Sequence, residues 1–388
     1  MPYAEGRVFH DADAHVMETP DWLAEFADPA YRDRLARLPL AGVPEAKADR
    51  FIERFRADHG SPDYRARDEA ELMTRKNWAA TGSFLKQDRP RALDLLGFSS
   101  QLVFNTFLSS LLQQAEHGDD VDFAYAMARA HNRAIQDFCS VDRRLLSTAY
   151  VPLRDLDRAA DMAREAIEAG AAALLVASAC PRGHSPSHVQ LDPVWAQAQE
   201  AGVPIVFHVG GGGRLLDPNY FQNGLPEVPD FHGGAENFRS IDYMAIPFPV
   251  MQTLSTLILD GVLDRFPRLM FGVIEQGASW VPGLMRQLDS AQDAFGRLEE
   301  RLRKLSLRPS QYITRQVRVT PYPAENVGWI VEQAGEEVCL FSSDFPHVEG
   351  GRNPLRRFEA SLGELPESAR RRFYADNFAE LMGPRLPT

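Results

Sequence analysis

The chain has 388 residues, 44% of them hydrophobic, with 42 Lys and Arg against 54 Asp and Glu for a formal net charge of -12. That length and apolar content suit one large α/β barrel or two to three average domains, and the acidic balance argues against nucleic acid or an anionic membrane as the main partner. Cys139, Cys180 and Cys339 show no CxxC spacing and are too few for a disulfide framework, and no apolar run approaches the ~20 residues that cross a bilayer.

The first predicted strand is Val8–His15. Side chains alternate along a strand, so Asp11, Asp13 and His15 share one face and His10 points away. Two carboxylates and an imidazole on one face need a cation or a proton between them, and a divalent metal is the simplest cation. The competing reading of this segment alone is a solvated edge strand with a helix-capping Asp. Because the motif occupies the region a cleaved leader would take, a cytoplasmic protein without a signal peptide is expected.

Residues 17–99 follow as a long helical insertion with the aromatics Trp22, Phe51, Phe55, Trp78 and Phe84. Further strands are predicted at Gln101–Phe107, Ser147–Pro152, Ala172–Ala177, Pro204–Val209, Met270–Glu275, Val317–Thr320 and Val338–Asp344. Most are unbroken apolar runs, as buried parallel strands are. Amphipathic helices are predicted at Asp122–Asp137, Asp157–Ala169, Asp192–Ala201 and Val250–Asp264, several opening on Asp as a helix N-terminus favours. Eight strands alternating with helices predict a (β/α)8 TIM barrel, one domain over 1–388, with a second long loop at 210–249 after strand five. No GxGxxG follows the first strand, which weakens a dinucleotide-binding fold. The glycine run Gly210–Gly213 lacks the Lys-Ser/Thr of a phosphate loop and reads as a flexible loop. A polar helix around Asp289–Leu305 is expected to face solvent.

Ligand-type residues then recur where strands end: Asp13 and His15 on strand one, His208 on strand five, Glu275 on strand six and Asp344 on strand eight. Barrels build their active sites at strand C-termini. Each residue alone has a structural reading, as a core histidine, a charge partner or a helix cap. Their convergence on one face carries the functional reading.

With Asp11-Ala12-Asp13-Ala14-His15, Phe207-His208, Phe266-Pro267-Arg268-Leu269 leading to Glu275-Gln276-Gly277, and Ser343-Asp344-Phe345-Pro346-His347, the chain resembles the amidohydrolase superfamily, in the branch around aminocarboxymuconate-semialdehyde decarboxylase. The resemblance implies that Asp13, His15, His208 and Asp344 bind metal. Two positions depart from the usual pattern. The strand-one pair is Asp-x-His where His-x-His or Glu-x-His is common, and Glu275 stands where the decarboxylases carry a catalytic histidine. The lysines are Lys47, Lys76, Lys86 and Lys304, none on a predicted strand, so a carboxylated-lysine bridge is not expected.

The excess of carboxylates points to two ions, Fe/Fe or Fe/Mn. The leading expectation is therefore a dinuclear non-haem iron oxygenase, a variant the resemblance allows, acting with O2 on a small organic substrate. Asp13, His15, Glu18, His208, Glu275, Asp344 and His347 form its expected metal set, with Glu275, Asp344 and His347 catalytic. The alternative is a mononuclear Zn or Mn hydrolase or decarboxylase with Glu275 or Asp344 as general base. A structural metal-bearing subunit of a hetero-oligomer is the third reading. Trp280, His232 and Arg352 are candidate substrate contacts, His131-Asn132 reads as a core polar pair, and His59, His117, His184 and His188 read as surface or loop residues. A homo- or hetero-oligomer is expected, with apolar faces of the 17–99 insertion available to a second subunit.

Overall fold

The computed structural model describes residues 2–40, 43–213, 215–226 and 239–387. Seven parallel strands lie in sequence order in one sheet: β1 (His10–Val16), β2 (Ser100–Asn105), β3 (Leu145–Tyr150), β4 (Ala173–Leu175), β5 (Ile205–His208), β6 (Phe271–Ile274) and β7 (Val317–Val319). Every strand residue is buried, which matches their near-continuous apolar character and the helices packed outside.

The eighth predicted strand is present as an extended segment that closes the barrel without a regular ladder. Its residue Cys339 bridges Val319 of β7, and Phe345 bridges Ala14 of β1. The ladder breaks because its donors go elsewhere: Phe341 N–H bonds to the Phe373 carbonyl (2.9 Å) and Ser343 N–H to the Asp11 carboxylate (2.7 Å). On the facing strand, the register of β1 against β2 slips between Asp11 and Ala14. The closure therefore trades regular pairing for side-chain contacts beside the strand ends.

Local sequence explains the helix boundaries. Asp120 accepts from Phe123 N–H and Asp155 from Asp157 and Arg158 N–H, so each caps its helix (Val121–Cys139 and Leu156–Glu168) from just outside. The helix Asp192–Ala201 has Pro193 in its first turn and ends on Gly202 in the left-handed region. The helix expected over Val250–Asp264 is two pieces, Phe248–Leu259 and Val262–Arg265, because Gly261 between them takes φ 77°. The polar helix expected at Asp289–Leu305 is likewise split, into the end of Val281–Phe295 and the short turn Glu300–Arg303.

Most of the insertion's aromatics turn inward. Trp78 and Phe84, with Phe51 and Phe55 against them, make a second small core that reaches Met17 and Phe107 at the ends of β1 and β2. Trp78 stacks on Phe107 with centroids 5.2 Å apart. His59 belongs to this packing: it is buried, edge-on to Phe84 and hydrogen-bonded to the Trp78 carbonyl, which corrects its reading as a surface residue. The insertion is thereby fixed on the strand C-termini. Phe341 of the closing segment sits among Phe9, Phe98, Phe358, Phe373 and Tyr374 and ties the C-terminal helices to β1. Truncating such a residue to Ala costs about 3–5 kcal/mol. Among the described residues, no helix is long and apolar enough to cross a membrane.

Candidate metal centre

Asp13, His15, His208, Glu275, Asp344 and His347 converge at the C-terminal end of the barrel, forming two overlapping groups: Asp13, His15, His208 and Glu275 in one, and His15, Glu275, Asp344 and His347 in the other. His15 Nε2 stands 3.1 Å from Asp13 Oδ1, 3.4 Å from Asp344 Oδ1 and 3.9 Å from Glu275 Oε2. His208 Nε2 stands 3.3 Å from both Asp13 Oδ1 and Glu275 Oε2. His347 Nδ1 is 3.0 Å from Asp344 Oδ1, its Nε2 is 2.9 Å from Thr106 Oγ1, and its ring stacks on His15 at 3.8 Å.

Backbone contacts orient the two central imidazoles. His15 Nδ1 lies 3.0 Å from the Asn105 carbonyl and His208 Nδ1 lies 2.9 Å from the Val209 carbonyl. A carbonyl only accepts, so each Nδ1 carries the proton and each Nε2 turns a lone pair to the cluster. Asp11 lies below, donating nothing and accepting from Gln101 Nε2, Ser343 Oγ and Ser343 N–H, so it pins the residue next to Asp344. His10 instead bonds Ser100 Oγ and stacks on Phe378, outside the cluster.

The electrostatics are those of buried carboxylates and imidazoles packed within reach of one another. Burial and the nearby Asp13 charge push the Asp344 carboxyl well above the usual range. Burial also works to raise Asp13, but the His15 and His208 imidazoles beside it hold it well below its ordinary value. Burial, with His347 adding to it, lowers the His15 pKa to about 4; burial opposes the charge on His208, yet Asp13 outweighs it and raises that pKa. His15 Nε2 and Asp344 Oδ1 are both buried without a hydrogen-bond partner. Buried polar atoms are ordinarily satisfied, and three carboxylates with three imidazoles are a hard, mixed N/O donor set suited to Mn2+ or Zn2+. The residues present therefore suit a divalent cation.

The structure does not bring Glu18 to this cluster. Its carboxylate is spent on the backbone N–H groups of Thr106, Phe107 and Leu108, where it caps the helix Leu108–His117, and burial raises its pKa to about 7. Arg352 is exposed and lines a different cavity. Trp280 lines a cleft beside the mouth, with its indole N–H turned back to the Gly277 carbonyl at 2.7 Å. His232 lies outside the described residues.

Glu275 lines a mouth cavity of about 620 Å3 walled by Tyr243, Met244, Tyr322, Arg239 and Arg357. Sequence reasoning missed Thr320 and Tyr322. Thr320 Oγ1 accepts the Glu275 N–H (2.7 Å) and Tyr322 Oη donates to the Glu275 carbonyl (2.8 Å), gripping that peptide unit on both sides. Both residues follow β7 directly, so the strand-end rule used for Glu275 would have flagged them. Gly350 packs against Asp344: a Cβ there would lie 2.2 Å from the Ser343 carbonyl oxygen and 3.0 Å from Asp344 Cβ.

The family model described as Amidohydrolase matches residues 10–383. A sequence comparison with curated proteins finds no match. Among solved structures, an amidohydrolase from Mycobacterium avium subsp. paratuberculosis superposes with a TM-score of 0.73 at 21% identity, covering 98% of this chain and 100% of that one. A 5-carboxyvanillate decarboxylase from Novosphingobium aromaticivorans, complexed with manganese and 4-hydroxy-3-methoxy-5-nitrobenzoic acid, gives 0.63 at 17% identity over 97% and 96% of the two chains. A dihydroxybenzoic acid decarboxylase from Polaromonas sp., with manganese and 2-nitroresorcinol bound, gives 0.62 at 16% identity over 97% of each. The two decarboxylases overturn the expected non-haem iron oxygenase: both carry manganese, which sides with the alternative of a metal-dependent hydrolase or decarboxylase. With the family model spanning nearly its whole length and the same barrel closing around these strand ends, the chain belongs to the amidohydrolase family.

Proposed function

We propose that this protein is a decarboxylase of a small aromatic carboxylate, dependent on one divalent ion, manganese or zinc. The observation that carries the reading is that His15 Nε2 and Asp344 Oδ1, both buried and without a hydrogen-bond partner, face one another across 3.4 Å amid further carboxylates. One ion is favoured over two because the donor groups overlap in His15 and Glu275, and His15 has only Nε2 to give. Asp13, His15, His208 and Asp344 would hold it. When bound, the ion supplies Lewis-acid polarisation of the substrate's oxygens and balances the carboxylates' charge.

The chain's own residues do the rest. Tyr243 and Tyr322 offer aromatic walls for a ring, and Arg357 offers positive charge to an acid at the mouth, where Arg239 is already paired with Asp242. When the bond to the carboxyl carbon breaks, CO2 leaves and the electron pair stays on the ring carbon, which then takes a proton. Glu275 is the cluster residue that lines the cavity, and it delivers that proton and is recharged from solvent. Thr320 and Tyr322 keep it aimed.

The neighbours' printed activities support this reading, as does the aromatic cavity beside the donor cluster. A metal-dependent hydrolase is the second reading, favoured by one feature: Glu275 is a carboxylate, an effective general base for water at the mouth. The test is CO2 release by manganese-loaded protein from 5-carboxyvanillate and dihydroxybenzoates in D2O. Decarboxylation predicts CO2 with deuterium at the vacated carbon. Absence of CO2 across such acids, together with hydrolysis of aryl carboxylate esters, would replace it with the second reading.

A further inference from the structure

Beside the mouth, on the segment after the closing strand, lies a second cavity of about 720 Å3 whose wall includes Arg352, Arg356, Arg357 and Lys76. We propose that Arg352, Arg356 and Arg357 form a binding site for a multiply charged oxyanion of the phosphate class.

Three observations carry this. First, these guanidinium groups have no ion-pair partner among the described residues. On the neighbouring helices, by contrast, Arg370 pairs with Glu359, Arg371 with Asp376, and Arg372 with Glu336 and Glu380. Three unpaired arginines around one cavity, in a chain of net charge -12, are a local excess of charge that folding alone does not require. Second, no carboxylate lines the cavity, and although Asp344 and Glu349 balance the charge of Lys76 at its wall, nothing there balances the three guanidinium groups. Such surroundings exceed what one carboxylate neutralises and match an anion of two or more charges, which guanidinium forks can hold bidentately. Third, the helix Pro354–Leu362 does not itself supply the site. Its Arg356 N–H is taken by Asn353 Oδ1 and its Leu355 N–H by Tyr3 Oη, so the charge comes from the side chains.

Arg357 lines both this cavity and the mouth cavity that holds Glu275. A molecule with an anionic end among the arginines can therefore extend to the donor cluster. That extension rests on the proposed function, whereas anion binding itself does not.

The test uses metal-free full-length protein, so that no ion can hold the probe. Inorganic pyrophosphate is titrated calorimetrically at fixed ionic strength, with acetate as the singly charged control. Saturable one-to-one binding of pyrophosphate is expected, with acetate silent and affinity falling about 10-fold or more in Arg352→Gln/Arg356→Gln. Both substituted side chains are exposed, and a circular dichroism melt confirms that the variant folds. No saturable binding, an equal response to acetate, or unchanged affinity in the folded variant would each overturn the site. Loss of decarboxylation with pyrophosphate binding intact would remove the proposed function alone.

Discussion

Glu275 and Asp344 share a left-handed backbone, φ 53° and 52°, and both carboxylates approach the same atom, His15 Nε2. Non-glycine residues adopt this conformation at a cost of about 1–2 kcal/mol. Asn77 is the third such residue among those described, and its N–H bonds to the Pro346 carbonyl beside Asp344. Strain therefore gathers around the donor cluster, and each carboxylate has its own lock: Thr320 and Tyr322 for Glu275, and Asp13 and Gly350 for Asp344.

Glu275→Gln keeps the size of the side chain and removes its ability to carry a proton. Turnover should fall by about 100-fold or more, while metal content stays near that of the wild type because Asp13, His15, His208 and Asp344 are intact. Rate and metal content measured on the same preparation check it. Tyr322→Phe should lose turnover by a smaller factor and cost about 1 kcal/mol of stability, the worth of one hydrogen bond.

Gly350→Ala adds one methyl group where the Ser343 carbonyl oxygen already stands 2.2 Å from the new carbon. The loop must shift, and Asp344 with it. Metal affinity should weaken about 10- to 100-fold, as when a ligand's support is lost. Competition with a chelator of known affinity reads this directly.

The barrel was legible because its strands are short apolar runs and its helices carry Asp or Pro at their starts, so seven of the eight expected strands appear with ends shifted by a few residues. The eighth was legible as a segment but not as an irregular one, since Ser343 N–H bonds to Asp11, a partner 332 residues away. The ends of strands one, five, six and eight pointed to the residues that now meet. Glu18 misled because its nearness in sequence to Asp13 says nothing of the helix N-terminus, beginning at Leu108, that consumes its carboxylate. Excess carboxylate also misled on the chemistry: it suggested an iron oxygenase, whereas the manganese-bearing neighbours are named as decarboxylases.

His131 predicts a pH effect away from the cluster. It is fully buried, and burial lowers its pKa from 6.5 to about 3. The folded state thus keeps it neutral where the unfolded chain takes up a proton. Stability is complete above pH 6.5 and is lost as pH falls from there towards 3. Between pH 6.5 and 5 the loss is at most about 2 kcal/mol. In urea denaturation at pH 7 and pH 5, His131→Gln should show a shallower fall than the wild type by up to that amount, and equal slopes would contradict the assignment.

Removing the ion should destabilise without unfolding, because the sheet and both cores stand on apolar contacts. A ligand at 1,000 times its dissociation constant adds about 4 kcal/mol. Chelation should therefore lower the melting temperature, and Mn2+ or Zn2+ should restore it, more weakly in Asp13→Asn.

Metal stoichiometry tests the central claim most directly. Elemental analysis of manganese-loaded protein after gel filtration should find about one ion per chain, falling to background in a folded His208→Ala variant. Folded wild-type protein that retains no divalent metal, or a His208→Ala variant that retains as much as the wild type, would contradict the assignment of this cluster as a metal centre.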